Sequence, residues 1–145
     1  MPKMEPTFTV EAPADEVWAF LTDMERVGSC VPGCEVHEVD AQTFAWEMTA
    51  KMGPISKTFK FTTQATTQDD VNHIAEFAGG GDGLEIAGRC RLDPVSARET
   101  HITFELDING TGGVATIVNN LIKMKIGEYE AAFVECVRGS LEGHD

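Results

Sequence analysis

Residues 99–141 read ETHITFELDINGTGGVATIVNNLIKMKIGEYEAAFVECVRGSL and carry the strongest structural signal in the chain. The first part of this stretch alternates apolar and polar side chains, which is the pattern of a strand with one dry face and one wet face. Its apolar members are Ile102, Phe104, Leu106 and Ile108. The glycine-rich residues 110–113 then end the alternation. The alternating pattern therefore predicts a strand over 99–110.

The second part of the stretch predicts one long helix over 114–141, because apolar residues recur there at three- and four-residue spacing. The main stripe is Val118, Ile122, Ile126, Tyr129, Phe133 and Val137, and Ile117, Leu121 and Met124 widen it. Such a helix is roughly 42 Å long at a rise of about 1.5 Å per residue. Its stripe requires an apolar partner layer of similar length.

The chain before residue 99 predicts two short helices and six more strands. The first strand covers 4–11, and the helices follow it, one beginning near Pro13 and one over 23–29. Asp23 is the predicted cap of the second helix, which must end before Pro32. The remaining strands, separated by turn-forming residues, are 34–40, 43–52, 55–68, 72–78 and 84–93.

Short connections between consecutive strands imply an antiparallel meander. Because one long helix has to cover the apolar face of the sheet, the strands must curl around it. The predicted fold class is α+β: a seven-stranded curved antiparallel sheet wrapped around a long C-terminal helix, with two short helices after the first strand. The 145 residues fit a single domain, 1–145, which buries roughly 70% of the surface of its unfolded chain.

The charge balance bears on the partners and the location of the protein. Lys and Arg total 11 against 24 Asp and Glu, and the net charge of -13 repels nucleic-acid phosphates and anionic lipids. A local basic patch of Lys123, Lys125 and Arg138 leaves peripheral membrane contact as the exception. The sequence has no run of ~20 apolar residues and no signal-peptide core at its start, so we expect a cytoplasmic protein.

The chain has four cysteines: Cys30, Cys34, Cys90 and Cys136. They are too scattered for a disulfide scaffold, and we expect buried free thiols in a reducing compartment. Cys30, Cys34 and His37 have the spacing C-x3-C-x2-H, a weak zinc signal because no fourth ligand stands at a recognisable distance. We therefore expect no metal and no cofactor. Residues 79–83 are glycine-rich but open no helix, which favours a hairpin loop over a phosphate cradle.

A curled sheet and a long helix meet closely along one line only, and the space elsewhere predicts a hydrophobic ligand cavity. The predicted lining, and our set of ligand-binding candidates, is Phe44, Trp46, Met48, Met52, Phe59, Phe61, Phe77, Leu84, Ile86, Phe104, Leu106, Leu121 and Met124. A plain packed core is the alternative interpretation. Ala50, Gly88 and Gly127 are small residues on the inward surfaces, and Gly127 in a helix suggests a close approach there. Lys57 falls on the same strand face as Phe59 and is the polar candidate for function, while no catalytic residue is predicted.

Three motifs resemble those of a known family. They are FTVEAPADEVWAFLTD at 8–23, CVPGCE at 30–35 and MGPI at 52–55. Together with the terminal helix they resemble the CoxG family, named for the G subunit of carbon monoxide dehydrogenase. This family is part of the SRPBCC superfamily of helix-grip folds, which also includes START lipid-transfer domains and polyketide cyclases. The resemblance spans nearly the whole chain.

The resemblance implies a deep apolar cavity and a role beside a molybdenum-containing CO dehydrogenase or related hydroxylase. Family members are associated with tethering that enzyme at the membrane and with handling its quinone electron acceptor. Tethering members carry a hydrophobic extension after the helix, whereas this sequence ends on residues 143–145, Gly-His-Asp. We therefore expect cavity binding rather than anchoring.

Three functions stay open at this point. The first is non-catalytic binding of a lipid or isoprenoid quinone, as an accessory to the partner enzyme, in the cytoplasm or peripherally at the inner face of the membrane. The second is an enzyme of the polyketide cyclase or dehydratase kind. The third is an assembly factor that recognises its partner through the acidic surface. A homodimer is an additional open alternative.

Overall fold

The computed structural model describes residues 3–142, without the side chains of residues 52, 55 and 114. Its elements in chain order are β1 (Lys3–Met4), β2 (Thr7–Val10), α1 (Ala14–Leu21), α2 (Met24–Gly28), β3 (Cys34–Glu38), β4 (Thr43–Met52), β5 (Ile55–Asp69), β6 (Ile74–Gly81), β7 (Leu84–Ser96), β8 (Glu99–Gly110) and α3 (Ala115–Leu141). A 3-10 turn over Gly112–Val114 joins β8 to α3.

The strands form one antiparallel sheet in the order β1-β8-β7-β6-β5-β4-β3, with β2 pairing to β8 beside β1. From β3 to β8 the sheet follows chain order, as the short connections predict. β5, β7 and β8 are 15, 13 and 12 residues long. Strands of this length twist and coil strongly, which lets the sheet wrap around α3. The predicted α+β class is confirmed.

The described sheet has eight strands rather than the predicted seven, because the first predicted strand is split at Pro6. Proline has no backbone N–H, so it interrupts the ladder of hydrogen bonds. The Pro6 carbonyl still accepts a hydrogen bond from the Phe104 N–H at 3.1 Å. β1 and β2 therefore both lie along β8, on either side of a two-residue break at Glu5 and Pro6.

β6 is also displaced from its predicted range of 72–78. It runs to Gly81, so three glycines of the 79–83 segment extend a strand, and the hairpin loop predicted there is shorter than expected. A Cβ at Gly79 would collide with the carbonyl oxygen of Thr62 on β5, which explains why glycine stands there. The turn is confined to Asp82 and Gly83, both at positive φ, 49° and 82°. Glycines have no side chains, so the last three residues of β6 show no alternation of apolar and polar side chains in the sequence.

The two short helices follow β2 as predicted. Asp23 caps α2, and its carboxylate accepts a hydrogen bond from the Arg26 N–H at 3.3 Å. α1 turns its buried side chains toward the sheet and the C-terminal half of α3. Those side chains are Val17, Trp18, Phe20 and Leu21.

α3 contacts the sheet through two core clusters. Near its C-terminal end, Phe133 and Val137 join residues of β2, β8 and α1. Near its N-terminal end, Val118 and Ile122 pack against β4 and β5. Leu106 and Ile126 touch both clusters, so the middle of α3 lies over the boundary between them. This boundary is where the candidate site lies.

Cys30, just after α2, forms a disulfide with Cys136 of α3, with the two Cα atoms 5.4 Å apart. The expectation of four free thiols is wrong, because the fold brings together two cysteines that are 106 positions apart. Cys34 and Cys90 are free. The disulfide prevents Cys30 from acting as a ligand with His37, and no cluster of metal-binding side chains occurs within residues 3–142.

Candidate functional site

An apolar cavity of about 80 Å³ lies between the sheet and the middle of α3. Trp46 and Phe61 form one wall, their rings stacked with centroids 5.9 Å apart. The indole N–H of Trp46 donates to the Thr63 hydroxyl at 2.8 Å. Because that polar group is already satisfied, the wall offers a guest only apolar contact.

Eight of the predicted ligand-binding residues line this cavity. They are Trp46, Met48, Phe61, Phe77, Leu84, Ile86, Phe104 and Leu106. All eight lie on strands, where side chains at alternate positions share one face. Strand parity therefore placed them correctly on the inward face, while their role in binding stays a prediction.

Four other candidates lie elsewhere. Phe44 lines a separate recess beside Met24, and Phe59 is 1% exposed inside the core cluster under the N-terminal part of α3. Leu121 packs at the margin of that cluster. Met124 is 66% exposed, because two residues turn a helix by about 200° and place it opposite Ile122. The side chain of Met52, the remaining candidate, lies outside the described residues.

The structure adds ten lining residues that the sequence did not predict. They are Met4, Met24, Val27, Val31, Cys34, Ile108, Ile122, Ile126, Tyr129 and Phe133. Those on α3 belong to the predicted apolar stripe, so the 3.6-residue period was the signal that could have found them. Met24, Val27 and Val31 come from α2 and the loop after it. A helix of five residues is too short for a periodic pattern of apolar side chains, so the sequence did not show which side of α2 faces the sheet.

Gly88 of β7 makes room for one wall of the cavity. It is buried opposite Phe77 of β6, and a Cβ at this position would collide with the Phe77 ring. The prediction of a small inward residue therefore has a specific reason at Gly88. At Gly127 the prediction of close approach is wrong, since that residue is exposed and a Cβ would meet nothing within 4 Å.

A second, open space adjoins the cavity. This outer groove, about 760 Å³ in volume, runs between the end of β4 and the middle of α3. Its lining is Pro32, Gly33, Cys34, Glu35, Glu47, Thr49, Lys51, Lys125, Glu128 and Tyr129. Cys34 and Tyr129 line both spaces, so the groove and the cavity meet at these two side chains.

Gly33 fixes the loop that borders the groove. It adopts a positive φ of 72°, which strongly favours glycine. Its carbonyl accepts a hydrogen bond from the Thr49 N–H at 2.9 Å, and a Cβ would stand 2.5 Å from the Thr49 carbonyl oxygen. The Pro-Gly turn therefore ties the start of β3 to the exposed end of β4.

The two side chains at the junction both keep their protons at neutral pH. Burial, with a smaller contribution from the charge of Glu35, raises the pKa of the Cys34 thiol from 9.0 to about 12. Burial also raises the pKa of the Tyr129 hydroxyl, and Glu128 and Cys34 add to the effect. Both groups are therefore uncharged hydrogen-bond donors between the cavity and the groove.

Lys57 lies on the inward face of β5, as strand parity predicts. Its Nζ stands 5.5 Å from the centroid of the Phe59 ring. The residue is exposed and lines neither the cavity nor the groove. It is therefore an exposed lysine whose ammonium group lies over an aromatic ring, and a direct contact with a guest in the cavity is not part of this geometry.

The predicted basic patch is dispersed along α3. Lys123 and Arg138 are separated by 15 positions, or about 22 Å of helix. Lys125 pairs with Glu128 at 3.6 Å, and the Arg138 guanidinium donates to the Thr9 carbonyl at 3.2 Å. The three cations do not form one surface. No helix of residues 3–142 is long and apolar enough to cross a membrane.

Comparison with known proteins assigns the chain to a family. The family model for CoxG, described as the G subunit of carbon monoxide dehydrogenase, matches residues 7–142. A direct comparison with curated protein sequences finds no match.

Solved structures share the fold at low identity. A conserved protein from Geobacillus kaustophilus has a TM-score of 0.78 at 15% identity, with 97% of this chain and 95% of that chain covered. The ZhuI aromatase/cyclase from Streptomyces sp. R1128 has a TM-score of 0.71 at 17% identity, covering 97% and 93%. A START superfamily protein from Mycobacterium smegmatis has a TM-score of 0.70 at 16% identity, covering 97% of each chain. These similarities establish a START-like helix-grip fold and no activity.

Proposed function

We propose that this chain, which belongs to the CoxG family of carbon monoxide dehydrogenase subunits, binds a hydrophobic small molecule between the sheet and α3. One observation carries the proposal: an apolar cavity that meets an open groove at Cys34 and Tyr129. Each methylene group moved from water into such a cavity contributes roughly 0.8 kcal/mol. A guest of this kind needs few polar contacts to bind.

The guest has to enlarge the cavity as it enters. The cavity volume of about 80 Å³ is well below the roughly 300–1,000 Å³ of typical ligand pockets. Three methionines in the lining, Met4, Met24 and Met48, have flexible side chains that adapt to different shapes. α2 contributes one of them and covers the cavity with a single short helix. We therefore expect α2 to move when a guest enters.

The family membership supports a lipid or an isoprenoid quinone as the guest and a molybdenum-containing CO dehydrogenase-type enzyme as the partner. In this proposal the chain acts as a non-catalytic accessory, in the cytoplasm or at the inner face of the membrane. Ile117 and Met124 support a contact surface, since they are 71% and 66% exposed and lie two turns apart on one side of α3. Retention of the partner enzyme by the wild type, but not by the Ile117→Ser/Met124→Ser variant, would support this surface.

A cyclase-like enzyme is the alternative, and the geometry gives it little support. Among the described lining residues of the cavity, only Cys34 and Tyr129 carry a titratable group. The raised pKa of each keeps it protonated at pH 7, so neither serves as a general base there. The assembly-factor alternative uses the acidic surface and needs no guest. A direct test for a bound hydrophobic molecule therefore distinguishes it from the proposed ligand-binding function.

The direct test is extraction of purified protein with organic solvent, followed by mass spectrometry. We expect a co-purifying hydrophobe and a higher melting temperature when an alkyl quinone is added. A Leu106→Trp variant fills the cavity and should lose both signals, whereas Ile117→Trp on the exposed face of α3 should keep them. Repeated absence of any hydrophobe, together with no shift in melting temperature, would overturn the proposal.

A further inference from the structure

Residues 24–33, which are α2 and the loop after it, form a cover over the cavity. Three side chains of this cover line the cavity: Met24, Val27 and Val31. Cys30 lies next to the last of them, and its disulfide joins the cover to Cys136 of α3. Cys136 follows the lining residue Phe133 by three positions, or about one turn of helix. The disulfide therefore fastens the cover to the helix that forms one side of the cavity.

Hydrogen bonds attach the cover to the rest of the molecule at few points. In the described chain, the hydrogen bonds of residues 24–32 close within the cover, on its Asp23 cap or on Cys34. The Gly33 carbonyl adds one hydrogen bond to the sheet, from the Thr49 N–H of β4 at 2.9 Å. Toward α3 the cover has apolar contacts in one core cluster and the disulfide. The disulfide is therefore the covalent restraint on movement of the cover away from α3.

Neither free cysteine can rearrange this disulfide at neutral pH. Thiol–disulfide exchange requires an attacking thiolate. Burial raises the pKa of Cys34 and of Cys90 from 9.0 to about 12, so both thiols stay protonated. An attacking thiolate must therefore come from another molecule. Cys30 is 3% exposed and Cys136 is half-buried, so the bond is open to attack on the Cys136 side.

We propose that the Cys30–Cys136 disulfide is a redox switch that controls access to the cavity. A guest has to displace α2 as it enters, so the oxidised form, which holds the cover against α3, exchanges a guest slowly. The reduced form frees the cover and exchanges a guest fast. This inference rests on the proposed function and adds a regulation of the same site.

The reductant is a dithiol. Its first thiolate attacks the Cys136 Sγ, the S–S bond breaks, and Cys30 leaves as a thiolate that takes up a proton. The second thiolate of the reductant then attacks the reductant's own sulfur in the mixed disulfide, closes the reductant's disulfide and releases Cys136, which takes up the second proton. The dithiol thus loses two electrons and two protons, and the two cysteines gain them.

The test measures uptake of the apolar fluorophore N-phenyl-1-naphthylamine by stopped-flow fluorescence. Wild type is compared after treatment with oxidised glutathione and after reduction with dithiothreitol, with alkylation and mass spectrometry to confirm the state of the bond. We expect uptake to be about tenfold faster or more after reduction, because a freed cover opens more often. Cys30→Ala/Cys136→Ala should take up the fluorophore at the fast rate in both solutions. Circular dichroism at the same temperature checks that each sample is folded.

A matched variant separates release of the cover from a general loss of stability. Leu92 of β7 is 2% exposed in the same core cluster as Cys30, and it does not line the cavity. Leu92→Ala leaves a void in that cluster and lowers the free energy of unfolding without cutting the disulfide. Oxidised Leu92→Ala should keep the slow uptake of the oxidised wild type. Equal acceleration by this variant and by reduction would overturn the inference.

Hydrogen exchange gives a second readout that needs no guest. After minutes of labelling, the hydrogen-bonded amides of Val27 and Cys30 should exchange in the reduced protein and stay protected in the oxidised one, while amides of β7 stay protected in both. Equal uptake rates or equal protection of the cover in the two states, or failure of oxidised glutathione to form the bond, would overturn the inference. The proposed function stands in those cases if the fluorophore binds. If the fluorophore binds in neither state, the proposed function is overturned and this inference with it.

Discussion

At the scale of single residues, the size of the cavity depends on the pair formed by Phe77 and Gly88. Phe77 lines the cavity from β6, and its ring occupies the space that a Cβ at Gly88 of β7 would need. The backbone at Gly88 has no positive φ, so alanine is excluded there by the ring and not by the backbone. One missing methyl group thus sets the position of an aromatic wall.

Gly88→Ala should push the Phe77 ring into the cavity. We expect a loss of about 1–3 kcal/mol in the free energy of unfolding, typical of overpacking, and weaker binding of an apolar fluorophore. Urea titration and fluorophore binding measure the two effects. Adding Phe77→Leu in the same chain removes the ring and should recover most of the lost stability. Equal destabilisation in the single and double variants would show that the ring is not the cause.

The two free thiols give the protein a pH dependence in the alkaline range. Burial raises the pKa of Cys90 from 9.0 to about 12, as burial and Glu35 do for Cys34. Because the folded state holds these protons more tightly, the stability they confer is complete below pH 9 and is lost as the pH rises from about 9 toward 12. Cys90→Ala should flatten the fall in unfolding free energy between pH 8.5 and pH 10.5, measured by urea titration. An unchanged slope in this variant would contradict the assignment.

At the scale of elements, α2 is the weakest cover of the cavity. It has five residues, and its first turn is held by the Asp23 cap on the Arg26 N–H. The longer elements around the cavity are tied into the sheet or run the length of the molecule as α3. Short, capped helices open more readily than strands in the middle of a sheet. A guest is therefore expected to enter at α2.

Asp23→Ala should make uptake of a guest faster. Loss of the cap costs about 1 kcal/mol of local stability, so the rate of fluorophore uptake should rise about fivefold. Stopped-flow fluorescence measures the rate. Ser96→Ala is the matched control, because the Ser96 hydroxyl accepts a comparable hydrogen bond from the Arg98 N–H at 3.3 Å, in the turn between β7 and β8. The same uptake rate in both variants would place the opening elsewhere.

Elements with regular alternation were predictable from the sequence, and elements without it were not. The bounds of β4 and β8 match the predicted 43–52 and 99–110, because a two-residue period runs through each. β6 ends in glycines and carries no such period, so its range was missed. The same reasoning separates the lining residues: strand parity found those on β4 to β8 except Ile108, whereas Val27 and Val31 lie where the chain is too short or irregular to show a period.

At the scale of the whole molecule, tertiary contacts decide what local patterns cannot. The seam between groove and cavity joins Cys34 of β3 to Tyr129 of α3, two residues that no sequence motif relates. The disulfide between Cys30 and Cys136 is of the same kind. Contacts between residues so far apart in the sequence arise because the sheet wraps around α3. They cannot be predicted from composition or from local patterns. The same wrapping places the loop after α2 against the C-terminal half of α3.

The Cys30–Cys136 disulfide should dominate the stability of the whole chain. It joins residues 106 positions apart, and closing a loop of about 100 residues stabilises a fold by roughly 4–5 kcal/mol. Reduction should therefore lower the melting temperature by about 15 °C, measured by calorimetry with and without dithiothreitol. The Cys30→Ala/Cys136→Ala variant should melt like the reduced protein and respond to no reductant. A wild type indifferent to dithiothreitol would contradict the prediction, and alkylation with mass spectrometry under non-reducing conditions would then show whether the two thiols are free. Because disulfides are rare in a reducing cytoplasm, a confirmed bond would also weigh against the proposed cytoplasmic location.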